Sequence, residues 1–228
     1  MSTRAESTMI APIRDAIANH HGLDVWVQEY RSGYGIADLV GMVMSKPSYQ
    51  MREQGAQRLP LDNRWLMEVL LQLSPKKGLT FETLVRRVAL APSTLRNKVI
   101  RVLSGRGLVV ERGGRYCLTA RLSNPAAEIV AVEAKIDRWP RAILQARRYR
   151  LFAQRSYVAV AMHVVPRVDR WLLYRHRIGL IGVEDAEARI IIEAPRSAPR
   201  DICAHRVCAE SLYSQALASV CKVAQHPH

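Results

Sequence analysis

Phenylalanine occurs twice in this chain and tryptophan four times, so aromatic residues make up only 6% of its 228 residues. Cysteine is scarce as well: Cys117, Cys203, Cys208 and Cys221 are scattered without the spacing of a disulfide framework. That excludes a small disulfide-stapled scaffold and favours reduced thiols in a cytoplasmic protein. No apolar run approaches the roughly 20 residues that a membrane-spanning helix needs. The segment Met1 to Glu6 leads into no apolar stretch of a secretory signal. Both features predict a cytoplasmic protein with no membrane partner. Acidic residues are the remaining shortage, 20 Asp and Glu against 34 Lys and Arg. The formal charge of +14 points to a polyanionic partner, nucleic acid first, although a generally basic proteome gives the same balance. A hydrophobic content of 49% is enough for a true core, in one large domain or two small ones.

The most informative stretch runs from Glu128 to Lys135. Ile129 to Val132 is an unbroken, β-branched apolar run, the pattern of a strand covered on both faces. It ends in Glu133-Ala134-Lys135. Alternation along a strand puts Glu133 and Lys135 on one face, with Ile129 and Ala131 behind them. Opposite charges at the mouth of a buried strand are costly unless they pair, hydrogen-bond or hold a metal. A solvated strand end followed by a basic helix is the plain alternative.

Upstream, Met9, Ile10, Ile13, Ala16 and Ile17 have helical spacing over Thr8 to Asn19, and Gly22 ends the helix. Pro12 suits only the first turn of such a helix. Val25 to Tyr30 and Ile36 to Met44 read as the two strands of a hairpin, joined across Ser32 to Gly35. Asp38 is disfavoured in an apolar strand by propensity. It either binds turn amides or faces Glu133 as a metal ligand. Glu29, on the first strand, is expected to face solvent.

Ser45 to Pro60 is polar and reads as a linker. Three helices follow: Asp62 to Leu73, capped by Asp62 with Trp65 inside; one capped by Thr80; and one capped by Ser93 and running to about Gly105. Leu108 to Arg112 and Arg115 to Thr119 then form a hairpin across Gly113-Gly114. This order resembles a winged helix-turn-helix. Its third helix would expose Ser93, Thr94, Arg96, Asn97, Lys98 and Arg101, and its wing Arg112 and Arg115. Arg and Asn suit base edges, and Ser, Thr and Lys suit phosphates. Protein contact or dimerisation is the alternative use of such a module.

After Lys135 a helix is predicted from about Trp139 to Gln154, then a buried strand Tyr157 to Met162, giving a right-handed crossover between parallel strands. Val168 to Arg177 reads as a short basic helix, Ile178 to Val183 and Ala188 to Glu193 as a hairpin, and Asp201 to about Cys221 as a final helix. Cys203, His205 and Cys208, with Cys221, His226 and His228 downstream, match no strong zinc spacing and read better as a helix face. His20-His21 reads as structural.

With the three-helix segment removed, the order is helix, strand, strand, strand, helix, strand. Ile36-Ala37-Asp38-Leu39-Val40, Val130-Ala131-Val132-Glu133-Ala134-Lys135, and the following helix with Gln145 and Tyr149 resemble the PD-(D/E)XK, restriction-endonuclease-like nuclease superfamily. No proline precedes Asp38. The resemblance implies an α/β fold, an αβββαβ core at residues 1–47 and 123–228, with a winged helix-turn-helix at 48–122 inserted between the second and third core strands. It implies a deoxyribonuclease that uses Mg²⁺, or Mn²⁺ in its place, to hydrolyse phosphodiester bonds in double-stranded DNA. Asp38, Glu133 and the Ala134 carbonyl would hold the metal, with Glu6 as an outer ligand. Lys135 would orient the attacking water and steady the phosphate, and Gln145 would touch DNA or the metal-bound water. A double-strand cut would call for a homodimer. The rival is a non-catalytic DNA-binding regulator that uses the nuclease-like core as scaffold or dimerisation unit. RNA is a third possible target.

Overall fold

The apolar run at Ile129 to Val132 does form the heart of a sheet. The computed structural model describes residues 2–53, 55 and 57–224, with side chains described for 8–52, 55 and 57–219. The fold is mixed α/β. Its main sheet has six strands, β1 (Val25–Arg31), β2 (Ile36–Met44), β5 (Ala126–Ala134), β6 (Arg155–Ala161), β7 (Gly179–Glu184) and β8 (Glu187–Ile192). They lie in the order β1-β2-β5-β6-β7-β8. β1, β2 and β5 are antiparallel neighbours, β5, β6 and β7 are parallel, and β8 returns antiparallel. The central strands are apolar because both faces are covered.

On one face lies α1 (Ser2–His21), whose Met9, Ile13 and Ile17 pack against Leu39, Val130, Val132 and Ala134. On the other face, α7 (Trp139–Tyr149) and α9 (Ile202–Ala224) cover Val40, Ile129 and Ala131 through Ile143, Ala146, Tyr149, Cys208 and Leu212. α8 (Arg170–His176) follows a 3₁₀ turn at Met162–Arg167 and sends Leu173 into the same cluster. α1 is longer than its apolar spacing predicts, and Pro12 lies well inside it. α7 is shorter: it ends at Tyr149 rather than Gln154. The Gln154 side chain instead accepts a hydrogen bond from Ile129 N at 2.7 Å.

Between β2 and β5 the chain leaves the sheet and returns at one point, where Ser45 N donates to Pro125 O at 2.7 Å. The excursion begins with α2 (Lys46–Glu53), in a segment whose polar composition predicts only a linker. The boundary expected at 47/48 falls inside this helix. α3 (Arg64–Gln72) is capped by Asn63, whose Oδ1 accepts from Trp65 N and Leu66 N, and not by Asp62. Trp65 is 46% exposed rather than buried. α4 (Phe81–Arg87) is capped by Thr80 as predicted. The third helix opens on Pro92, so Ser93 does not cap it. It runs through α5 (Pro92–Thr94), a π-helical turn at Leu95–Ile100 and α6 (Arg101–Gly105). β3 (Val109–Arg112) and β4 (Arg115–Leu118) then pair across Gly113 and Gly114, at φ +55° and +72°. Two successive positive φ values are those of the tight hairpin turn that matches strand twist, and glycine adopts them without strain. These elements have their own core, including Leu61, Met67, Leu70, Leu84, Leu95, Val99 and Leu103.

The excursion is locked to the sheet by a buried ion pair. Arg52 of α2 and Glu210 of α9 are both fully buried, and the guanidinium donates to both carboxylate oxygens, with Nη1 at 2.9 Å from Oε2. Arg52 Nε donates to Ser123 Oγ at 2.8 Å, and Leu61 N to Glu210 Oε2 at 3.1 Å. One pair thus fixes the start of the three-helix segment at Leu61 and its return at Ser123.

Candidate functional site

Antiparallel pairing of β2 with β5 brings Asp38 to Glu133. The ladder matches Leu39 with Val132, and both side chains project one step beyond it. Asp38, Val40 and Met42 share a face on β2, as Ile129, Ala131 and Glu133 do on β5. This face is the one covered by α7. Asp38 is half-buried and Glu133 is 1% exposed.

Lys135 lies between the two carboxylates. Its Nζ is 3.0 Å from Glu133 Oε1 and 3.6 Å from Asp38 Oδ2, and it donates to Ala134 O at 2.8 Å. Ala134 N donates to Asp38 Oδ2 at 2.7 Å. Main chain and side chains of Ala134 and Lys135 together therefore orient Asp38. Tyr149, from α7, donates its phenol toward Glu133 Oε2 and lies 2.7 Å from Ile36 O. Burial, and then the Asp38 charge, push the Glu133 carboxyl above its usual range, against the pull of Tyr149 and Lys135. The same burial, with Glu133 beside it, pushes the Tyr149 phenol far up, so it stays a donor.

Of the residues predicted for the centre, Asp38, Glu133, Ala134 and Lys135 converge. Gln145 sits one turn before Tyr149 on α7, and its Oε1 is buried without a hydrogen-bond partner. Glu6 lies on α1, but its side chain is outside the described residues. Glu29 is exposed, as predicted. The part of Tyr149 in holding Glu133 has no local signature, since the two residues meet only when α7 folds back over β5.

Hard oxygen donors of this kind, two carboxylates and a main-chain carbonyl, suit Mg²⁺ or Mn²⁺. Such a cation would be held by Asp38, Glu133 and the Ala134 carbonyl, and would supply positive charge beside the Lys135 ammonium.

The second set of predicted residues is at the surface. Ser93, Arg96, Asn97, Lys98 and Arg101 are exposed along the third helix, and Thr94 is half-buried. Arg96 stacks its guanidinium over the Phe81 ring at 4.3 Å. Arg112 and Arg115 are exposed and directly opposite each other across the hairpin. Like charges in that position repel.

Among the described residues, Cys203, His205 and Cys208 do not converge. Cys203 Sγ lies 3.8 Å from Arg64 O, His205 Nδ1 is 2.8 Å from Phe152 O, and Cys208 is wholly buried. The side chains of Cys221, His226 and His228 lie outside the described residues. Among the described residues, three metal-ligating side chains do gather at His20, His21 and Glu193. These groups already have partners: Glu193 pairs with Arg155 Nη1 at 2.7 Å, His20 Nε2 lies 2.9 Å from the other Glu193 oxygen, and His21 Nε2 lies 2.9 Å from the Tyr157 hydroxyl.

No protein-family model matches the chain, and no curated protein matches it. A solved structure, the SPO1766 protein of unknown function from Silicibacter pomeroyi, is similar to part of it. That similarity is at 23% identity with a TM-score of 0.31, and covers 61% of this chain and 95% of that one.

Proposed function

We propose that this chain is a metal-dependent deoxyribonuclease with a restriction-endonuclease-like core and an inserted winged helix that holds duplex DNA. The observation that carries the reading is the meeting of Asp38, Glu133 and Lys135 at the ends of two adjacent strands. Isolated charges at such a place are costly, and a lysine held within salt-bridge distance of two carboxylates calls for a use. The helix order, the glycine hairpin and the exposed Arg96, Asn97, Lys98 and Arg101 support the winged helix. Facing Arg112 and Arg115 favour an anionic partner that relieves their repulsion.

Asp38, Glu133 and the Ala134 carbonyl would hold Mg²⁺, or Mn²⁺ in its place. Bound there, the ion supplies a water of lowered pKa and offsets charge on the phosphate. Lys135, whose Nζ lies beside both carboxylates, would donate to a phosphate oxygen and steady the attacking water. Its ammonium then stabilises charge that grows as the phosphorus becomes pentacoordinate. Tyr149 keeps one oxygen of Glu133 in place. The Gln145 Oε1, lacking a partner, is available to accept a hydrogen bond from water or from a base. One such centre cuts one strand, so cutting both strands calls for two copies of the chain.

The close pairing of Lys135 with buried Glu133 also suits a second reading, in which the core is a scaffold and the winged helix alone binds DNA. Supercoiled plasmid incubated with Mg²⁺ separates the two. The nuclease reading expects nicking that Asp38→Ala abolishes while a gel shift in EDTA is unchanged. Tight binding without cutting in Mg²⁺ or Mn²⁺ would leave the regulator.

A further inference from the structure

α8 carries an exposed face that the proposed cutting centre does not use. Trp171 is 60% exposed and Tyr174 84% exposed, although aromatic side chains are few in this chain. Both project from a helix whose Leu173 is fully buried, so the helix is anchored and its outer face is left to solvent. Arg175 lies over the Trp171 ring at 5.0 Å. Beside Tyr174 is a cleft of about 650 Å³, walled by Arg170 and Arg177, with Leu173 and Ile178 as its apolar part and Glu193 as its acidic member.

The arginines around this face lack carboxylate partners. None of Arg147, Arg150, Arg170, Arg175, Arg177 and Arg200 enters an ion pair among the described residues. Arg150 Nη1 and Arg177 Nη2 spend themselves on the main-chain carbonyls of His176 and Arg196, and Arg150 Nε is buried with no partner. Burial, and then Arg147, Arg175 and Arg150, hold the His176 imidazole below its usual range. Burial, Arg200 and Arg177 do the same to the Arg150 guanidinium. Positive charge has therefore been collected here against its own repulsion.

We propose that this face binds an unpaired DNA strand, with Trp171 and Tyr174 stacking on bases and the surrounding arginines following the phosphates. Duplex DNA hides the faces of its bases, whereas a single strand offers both the stacking surface and the charge. An acidic peptide offers the charge alone. The inference extends the nucleic-acid reading above, but it does not depend on Asp38, Glu133 and Lys135 cutting anything.

The test uses the full chain in EDTA and an oligo-dT of about 12 nucleotides, within the roughly 4–16 nucleotides that single-strand binders cover. Binding is expected to quench tryptophan fluorescence, and Trp171→Phe to remove most of that quenching while retaining most of the affinity. Replacing both Trp171 and Tyr174 by Ala is expected to weaken binding on the order of tenfold or more. Arg170→Gln with Arg175→Gln, both at exposed positions, is expected to weaken it and to flatten its logarithmic salt dependence by about 1.4, at roughly 0.7 per phosphate contact. This second variant decides the matter if the first does not fold. Arg189→Gln, an exposed arginine on β8 outside both proposed DNA-binding faces, is expected to leave oligo-dT binding intact. Binding of oligo-dT that neither α8 variant weakens would overturn the proposal. So would poly-glutamate that quenches Trp171 and competes equally, which would assign the face to an acidic protein. A chain that binds oligo-dT through α8 yet cuts no DNA would uphold this surface and retire only the nuclease reading.

Discussion

Tyr149 reaches from α7 across to the Glu133 carboxylate, and the same hydroxyl lies 2.7 Å from Ile36 O on the neighbouring strand β2. One phenol thus ties together the two strands that carry Asp38 and Glu133. Tyr149→Phe removes that tie while keeping the ring in the core. A hydrogen bond to a charged group is worth about 1.5–3 kcal/mol, so DNA cutting should fall roughly tenfold to a hundredfold. Gel shifts in EDTA should not change. Since the phenol touches Glu133 and not the substrate, the loss should appear in the cleavage rate at saturating DNA. A variant that cuts as fast as wild type would show that Glu133 needs no such positioning.

The Arg52–Glu210 pair should dominate the attachment of the three-helix segment. Breaking a buried pair by removing one partner costs about 3–5 kcal/mol, because the other charge is left desolvated. Glu210→Ala should therefore lower the denaturation midpoint strongly, and Arg52→Met alone should do the same. Arg52→Met combined with Glu210→Leu removes both partners and keeps the space filled by apolar side chains, but takes the Glu210 charge away from buried Arg206, so it should recover part of the loss. Urea unfolding of the three variants measures this. Full additivity of the two single losses would contradict the coupling.

Acid should destabilise the protein through His205. Burial holds its imidazole below the ordinary range, with a smaller push from Arg206, and against the hydrogen bond to Phe152 O. Nδ1 donates to that carbonyl, and Nε2 faces Asn124 Nδ2 at 3.3 Å, so the neutral form is the one that fits. In the unfolded chain the histidine takes up a proton near pH ~6.5, while in the folded chain it resists. The unfolded state then binds more protons, and stability falls as pH drops below about 6.5. His205→Gln should lessen the fall in melting temperature as the pH is lowered from neutral to mildly acidic. An equal fall in both proteins would place the acid sensitivity elsewhere.

Much of this architecture is legible in the chain, and the reasons are local. β5 and β6 announce themselves as apolar runs because they are buried on both faces. Glu133 and Lys135 share a face because strand side chains alternate, whereas Asp38 joins them only through the pairing of β2 with β5. The hairpin at Gly113-Gly114 follows from the φ values that its turn demands. What the sequence conceals is non-local. α2 looks like a linker because its composition is polar, and it is held by Arg52, whose partner Glu210 lies 158 positions away. Asn63 rather than Asp62 caps α3, a difference of one residue that propensity does not resolve, since both are good caps. Tyr149 reads as part of an apolar helix face, and its hydroxyl gains a partner only when α7 packs over the sheet. The exposure of Trp171 and Tyr174 is likewise invisible until Leu173 is seen to take the buried side of α8.

The proposed cutting centre stands or falls on Lys135. Single-turnover cleavage of a fluorescent duplex in Mg²⁺ should be compared for wild type and Lys135→Ala, with affinity measured separately in EDTA. A nuclease working through this lysine should cut at least about a hundredfold more slowly in the variant, the scale on which a positioned charge at the reacting centre acts, with affinity retained. A variant that cuts at the wild-type rate would contradict that role, and would move the chemistry away from Asp38, Glu133 and Lys135.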